Sequence, residues 1–317
     1  MKLSIVMPAY NEAENIPGTV QEIRDIIVRT KKVTDYEIII ADDHSSDGTF
    51  DIVKEMSGNN VRCVRLSRRG GSHIAIRAGL GNSSGDAVLC MSADGQENPS
   101  CLNEMLDKWE KGAGVVWGLR KDRATDTWHI RKTAQVFYAV LSWMTGTEYR
   151  GIDLSRADFF LLDRKAVDAM GQCREKNTSI FGLIAWIGFD QDLVEYERRY
   201  RKAGKSKWSF KSRLSLAKDW IFAFSELPLF VMMIFGFFMV LSGGSYGVLL
   251  AVKKFGGDLV PGWEMVLAAS VVLSGIQMGM IGVAGEYIWR NLDESRKRPL
   301  YFIEKETGGA GKKRMAG

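Results

Sequence analysis

The stretch Asp86-Ala87-Val88-Leu89-Cys90-Met91-Ser92-Ala93-Asp94-Gly95-Gln96-Glu97-Asn98-Pro99 is a short apolar run that stops in a small, acidic turn. Four apolar residues in succession, Val88 to Met91, predict a strand buried in a parallel sheet. Asp94 then stands just past its carboxyl end, the place where open α/β sheets bind ligands. In a chain with phosphate-binding cations elsewhere, a carboxylate there points to a divalent metal holding a diphosphate, since Mg2+ and Mn2+ take oxygen ligands and share them with phosphates. A solvated turn is the competing reading of a lone Asp at a strand end.

The same alternation runs outward from this stretch. Leu3 to Met7, Glu37 to Ala41, Val61 to Leu66 and Val115 to Leu119 read as strands. Ile16, Val20, Ile23 and Ile27 recur at helical spacing, and further helices are predicted around Ile74 to Leu80 and from Leu102 to Lys111. The β-α-β-α order predicts a mainly parallel sheet covered on both faces by right-handed crossovers. Parallel strands bring three polar segments to one edge: Pro8-Ala9-Tyr10-Asn11-Glu12, Asp42 to Thr49, and Ser92-Ala93-Asp94. Each has a bland alternative, because Asn11 or Glu12 can serve a helix start and Ser46 or Asp47 can cap a helix beginning near Thr49. No G-x-G-x-x-G follows the first strand, which disfavours a dinucleotide site.

Composition divides the 317 residues sharply. Residues 230–251 and 265–285 contain no charged residue, and each is near the ~20 apolar residues that cross a bilayer as a helix. They predict a two-helix transmembrane hairpin within residues 229–289, with buried core helices as the alternative. Gly236, Gly243, Gly244 and Gly247 in the first helix, and Gly275, Gly279, Gly282 and Gly285 in the second, predict close helix packing and self-association into a homo-oligomer. Lys205, Lys207, Lys211, Arg213 and Lys218 precede the hairpin, and Arg290, Arg296, Lys297 and Arg298 follow it, while only Lys253 and Lys254 lie between. That bias predicts cytoplasmic termini and a catalytic domain at the cytoplasmic membrane. The net charge of +5 suits an anionic membrane surface better than nucleic acid, for which no motif is present. The N-terminal apolar run is too short for a signal peptide. Cys63, Cys90, Cys101 and Cys173 form no C-x-x-C pair and are expected to be reduced, and His44, His73 and His129 lack metal-ligand spacing.

Taken together, Met7-Pro8-Ala9-Tyr10-Asn11-Glu12, Ile40-Ala41-Asp42-Asp43, Ser45-Ser46-Asp47-Gly48-Thr49, Gly85-Asp86 and Ala93-Asp94 with Gln96 resemble family 2 glycosyltransferases of the GT-A fold. The nearer resemblance is to the polyisoprenyl-phosphate branch, with dolichol-phosphate mannose synthases and bacterial undecaprenyl-phosphate glycosyltransferases. Gly118-Leu119-Arg120, Ala157 to Arg164 and Arg201 to Trp208 extend it. It covers residues 1 to about 218, and two trailing membrane helices are usual in the bacterial members. The resemblance implies a GT-A domain over 1–207, an interfacial segment over 208–228 and a tail over 290–317 whose Gly/Lys-rich end, from Gly308, is expected to be disordered. It implies that Pro8, Tyr10, Glu12, Ile40 and Asp42 line a nucleotide-sugar pocket. Ser92, Ala93, Asp94 and Gln96 match the metal and diphosphate turn, with Asp94 and Gln96 as metal ligands. Arg120, Arg201 and Lys207 match cations near the phosphates, and Asp158 matches an acidic residue near the acceptor.

Ser92 departs from the pattern: the family has Asp there, so the turn retains only Asp94 of two carboxylates separated by one residue. His44, where many members have Gly, and Gly95, where many have Leu, depart too. The implied reaction is an inverting transfer of one sugar from a UDP- or GDP-linked donor to a polyprenyl phosphate, with Mg2+ or Mn2+. Lys205, Lys207, Lys211 and Arg213 would meet the lipid phosphate, beside aromatic residues of an interfacial segment from Trp208 to Phe224. A packed amphipathic helix is the alternative for that segment. Asp158 either orients the acceptor or forms an ion pair with Arg156 or Arg164. A glycosyltransferase with another acceptor, or a non-catalytic sugar-nucleotide-binding partner of a membrane glycosylation complex, are the competing functions. A processive polysaccharide synthase is disfavoured because Q-x-x-R-W and additional spans are absent.

Overall fold

The computed structural model describes residues 1–58, 60–121, 156–175, 178–197, 199, 227–256 and 263–308. The chain forms two compact units, Met1–Leu216 with Pro299–Gly317, and Ala217–Arg298.

In the first unit the elements run β1 (Lys2–Ala9), α1 (Ile16–Arg29), β2 (Asp35–Asp42), α2 (Thr49–Met56), β3 (Val61–Leu66), α3 (Ser72–Gly81), β4 (Ala87–Cys90), α4 (Leu102–Glu110), β5 (Val115–Arg120), β6 (Ala157–Asp163), α5 (Arg164–Gln172), α6 (Ile180–Trp186) and β7 (Gln191–Tyr196). Residues past the second unit add β8 (Ile303–Glu306). All eight strands join one sheet in the order β7-β5-β6-β4-β1-β2-β3-β8. β1, β2, β3 and β4 pair in parallel, as do β5 and β7, while β6 is antiparallel to both β4 and β5 and β8 is antiparallel to β3. The sheet is thus mainly parallel, as expected from the α/β alternation.

The central strands are apolar on both faces because helices cover both. Leu3, Ile5, Val6 and Met7 of β1 and Val88 and Leu89 of β4 are buried. On α1 the buried residues Ile16, Val20, Ile23 and Ile27 form one stripe. The Gly85-Asp86 pair sets the entry to β4. A Cβ on Gly85 would stand 2.5 Å from the Ser4 nitrogen, and the Lys2 N–H donates to the Asp86 carboxylate at 2.8 Å. These contacts lock β4 beside β1 at the sheet's amino edge, so this part of the motif is structural.

The region after the second unit, expected only as a tail, supplies the edge strand β8. Its four residues are exposed, so main-chain pairing and side-chain bonds hold it rather than a buried face. The Cys63 N–H donates to Thr307 Oγ1 at 2.9 Å, Arg62 donates to Glu306 at 2.9 Å, and Tyr301 packs on Ala41, Leu66, Ala75 and Ala78.

The second unit contains α7 (Leu227–Phe255) and α8 (Trp263–Ser295). Both charge-free stretches lie within these helices. Taken over the described residues alone, no helix is long and apolar enough to cross a membrane. The glycines divide in behaviour. A Cβ on Gly236 would meet Met280 Cε at 3.4 Å, whereas at Gly275, Gly279, Gly282 and Gly285 it would meet nothing within 4 Å. Among the described residues the α8 glycines therefore make no close packing contact. The expected interfacial segment from Trp208 to Phe224 lies outside the described residues.

Candidate active site at the carboxyl edge

β1, β2 and β4 are neighbours, so their carboxyl ends bring together the loops after Ala9, Asp42 and Cys90. Cross-loop bonds tie the first two. The Asn11 N–H donates to Ser45 Oγ at 2.9 Å, the Glu12 N–H to Thr49 Oγ1 at 3.1 Å, and the Ser46 N–H to Asn11 Oδ1 at 2.8 Å. Asp47 accepts from the Thr49 N–H and the Ala13 N–H, each at 3.1 Å. Burial alone would push the Asp47 carboxyl up, but these bonds outweigh it and hold it below the usual range. Asp47 thus ties the loop after β1 to the first residue of α2, while Gly48, at φ +84°, holds the N-cap position and no side chain caps the helix. Glu12 serves a helix start, accepting from Asn15 Nδ2 at 2.6 Å, while its backbone carbonyl accepts from the Asn15 and Ile16 N–H groups.

Pro8 and Tyr10 are half-buried at the end of β1. Arg69 lies over the Tyr10 ring, 3.9 Å from its centroid. The loop carrying Arg69 is fixed by Asp43, which accepts the Gly70 and Gly71 N–H groups at 2.6 and 2.8 Å. Burial pushes the Asp43 carboxyl up despite those bonds. Asp42 is fully buried, accepting the Ser45 N–H at 2.9 Å and Arg65 Nη1 at 3.0 Å. Ile40 is fully buried in the main hydrophobic core with Met7 and Ile38.

The turn after β4 holds the acidic centre. Asp94 Oδ1 accepts the Ser92 hydroxyl at 2.6 Å and the Gln96 N–H at 3.1 Å. The Ala93 carbonyl accepts Thr19 Oγ1 at 3.2 Å. Ser92 Oγ is also in hydrogen-bond contact with Glu97 Oε2, and Glu97 is 3% exposed. The reading that Asp94 is the turn's only carboxylate is therefore corrected, because Glu97 folds back over five residues to the same hydroxyl. Gly95 at φ +70° makes the reversal, a backbone region that favours glycine. His44 sits at φ +60°, which accounts for the glycine of many family members at that position.

One hydroxyl carries one proton, so Ser92 satisfies one of two carboxylate oxygens at a time. Such a set of hard oxygens fits Mg2+ or Mn2+. Among the described residues no group of three or more His, Cys, Asp or Glu could hold an ion. Arg199 docks on the turn, its N–H donating to the Gln96 carbonyl at 2.9 Å and its Nη2 to Asn98 at 2.8 Å.

Arg120 ends β5 on the same edge, two strand spacings or about 10 Å from β4. β6 runs the opposite way, so its start, with Asp158, lies at that edge also. Arg156 donates to the Arg120 carbonyl at 2.9 Å and to Glu195 at 2.7 Å, whereas Arg164 sits at the far end of β6, bonded to Gly85 O. Arg201, Lys205, Lys207, Lys211 and Arg213 lie outside the described residues. The four cysteines are free, and burial pushes all four thiols up, that of Cys101 to about 12.

The carboxyl edge of the sheet thus gathers the buried carboxylates Asp42, Asp94 and Glu97. The profile described as Glycosyl transferase family 2 matches residues 4–174, and the chain belongs to that family. It is a glycosyltransferase. The chain is 37% identical over 311 residues to an uncharacterized glycosyltransferase, YkcC, of Bacillus subtilis, spanning 97% of this chain and 95% of the relative. It is 34% identical over 309 residues to the bactoprenol glucosyl transferase of Shigella phage SfV, spanning 96% and 99% of the two chains. The fold is also that of mannosyl-3-phosphoglycerate synthase from Rubrobacter xylanophilus, with a TM-score of 0.50 and 16% identity over 69% of this chain and 71% of that one.

Proposed function

We propose that the protein transfers one sugar, with inversion, from a UDP- or GDP-linked donor to a polyprenyl phosphate at the cytoplasmic face of the cell membrane. The observation that carries this reading is the end-to-end likeness to a bactoprenol glucosyl transferase. It supports the same acceptor class because the match extends through both long helices. The membrane part of the proposal rests on the charge-free stretches 230–251 and 265–285, which lie within α7 and α8. Phe237, Phe238, Met278 and Ile281 are exposed along them, as lipid-facing residues would be. The α8 glycines that face open space support a homo-oligomer in the bilayer.

Asp94, Gln96 and Glu97 would hold the divalent ion. When bound, it neutralises charge developing on the departing diphosphate. Asp42, Pro8 and Tyr10 orient the nucleotide, and Arg120, Arg201 and Lys207 face its phosphates. Lys205, Lys207, Lys211 and Arg213 receive the lipid phosphate. That phosphate is largely dianionic at neutral pH, its second pKa lying near 6, so an oxygen attacks the anomeric carbon without a strong base. The new C–O bond forms as the bond to the diphosphate breaks. Asp158 then orients the acceptor and has no proton to remove. Ser92 in place of the family's Asp favours a non-catalytic sugar-nucleotide-binding partner, and Glu97 at the same hydroxyl weakens that reading.

Purified protein incubated with radiolabelled UDP- and GDP-sugars, undecaprenyl phosphate and Mn2+ should move label into the organic phase. Donor binding without label transfer under every condition would overturn the proposal in favour of a binding partner.

A further inference from the structure

We infer that the C-terminal strand β8 is part of the donor site, through Glu304 acting as a positioning residue on the Arg65–Asp42 pair. This rests on the reading of Asp42 as a nucleotide-orienting carboxylate. Ala9, Asp42, Arg65 and Lys305 occupy one row across β1, β2, β3 and β8, the last pairing bringing Glu304 beside Arg65. Arg65 donates through Nη1 to Asp42 Oδ2 at 3.0 Å and through Nε to Glu304 Oε2 at 3.1 Å. Its guanidinium also lies over the Phe50 ring, 5.9 Å from the centroid. A planar fork bonded through two nitrogens and resting on a ring has little freedom left, so the orientation of Asp42 is fixed from the tail side.

The burial gradient shows which partner matters to the site. Asp42 is fully buried and the Arg65 side chain is 17% exposed, whereas Glu304 is 36% exposed. Removing Glu304 thus alters the outer end of the row and leaves the core untouched. His44 Nδ1, 3.5 Å from Glu304 and 3.1 Å from the Leu66 carbonyl, ties the loop after β2 to the same carboxylate. Glu304 therefore steadies two neighbours of the nucleotide pocket without touching the nucleotide.

The same strand provides its own control. Glu306 pairs with Arg62, which reaches Glu37 and not Asp42. Tyr301 and Thr307 anchor the strand in either variant. Full-length Glu304→Ala should raise the KM for the nucleotide-sugar and the Kd for free UDP or GDP, whichever the enzyme binds, by about three- to ten-fold. Its kcat at saturating donor should stay within about two-fold, and Glu304→Asp should recover part of the loss. Glu306→Ala should leave nucleotide affinity unchanged. Equal effects of Glu304→Ala and Glu306→Ala, or no effect of Glu304→Ala, would overturn the inference. Asp42→Ala separates the two levels: if it leaves nucleotide affinity intact, the placement of Asp42 in the site fails; if it weakens affinity while Glu304→Ala does not, only the role of β8 fails.

Discussion

Glu97→Gln tests the acidic turn most directly. The amide is nearly isosteric and still accepts the Ser92 hydroxyl, so the change removes a charge with little loss of packing. Glu97 is 3% exposed and Asp94 is 8% exposed, so solvent screens neither well. Loss of one of two carboxylates beside an ion should weaken Mn2+ binding by about 10- to 100-fold, or roughly 1.4–2.8 kcal/mol. Isothermal titration with Mn2+, with and without the nucleoside diphosphate, measures it. The loss should be larger without the diphosphate, whose oxygens otherwise share the ion. Ser92→Asp would set a third carboxylate against the other two. It should lower Tm in chelator, recover it with Mn2+, and tighten metal binding without raising turnover, because ground-state affinity does not stabilise the transition state. Asp94→Asn should abolish metal-dependent transfer in either background. Equal Mn2+ affinity in the native protein, Glu97→Gln and Asp94→Asn would refute the assignment and return the turn to a structural role.

Arg201→Ala and Lys207→Ala should each lower turnover about ten-fold or more while weakening nucleoside monophosphate binding less, since their proposed partners are the donor's second phosphate and the lipid phosphate, which this ligand lacks; unchanged turnover in both removes them from the site. Burial would raise the Glu37 carboxyl, but bonds from Ser4, Ser84 and Arg62 outweigh it and hold it below its ordinary range. Its stabilisation is full above that range, about pH 4.3, and is lost as pH falls through the depressed value. Acid denaturation curves of the native protein and Glu37→Gln should therefore converge as pH falls through that depressed value, and a constant gap would refute this. Gly257→Cys in a cysteine-free background should react with an impermeant thiol reagent from outside the cell, whereas labelling from the cytoplasm alone would end the hairpin reading.

The central strands were legible because burial on both faces writes itself as an uninterrupted apolar run, as in Ile38-Ile39-Ile40 and Val88-Leu89-Cys90. The edge followed from strand direction alone. Sheet partners were not legible: Ala157 to Arg164 carried only the family resemblance, and the antiparallel place of β6 between β4 and β5 depends on pairing across long separations. Ile303-Glu304-Lys305-Glu306 has no apolar alternation, since bonds to β3 hold it. Glu97 was hidden for a local reason, because its return to Ser92 depends on the left-handed turn at Gly95. Asp42 was readable as a strand-end carboxylate, yet its guanidinium partner lay on another strand 23 residues away.

β8 also closes an exposed flank. Without it β3 would present a row of open backbone donors and acceptors, including the N–H of Cys63 now bonded to Thr307, and such a row is a template for another chain's strand. Arg62 and Arg65 on β3 would oppose stacking by their charge, but both would have lost their acidic partners on the tail. A chain ending at Arg298 should therefore associate edge to edge as concentration rises. β8 thus guards the sheet against pairing with other chains.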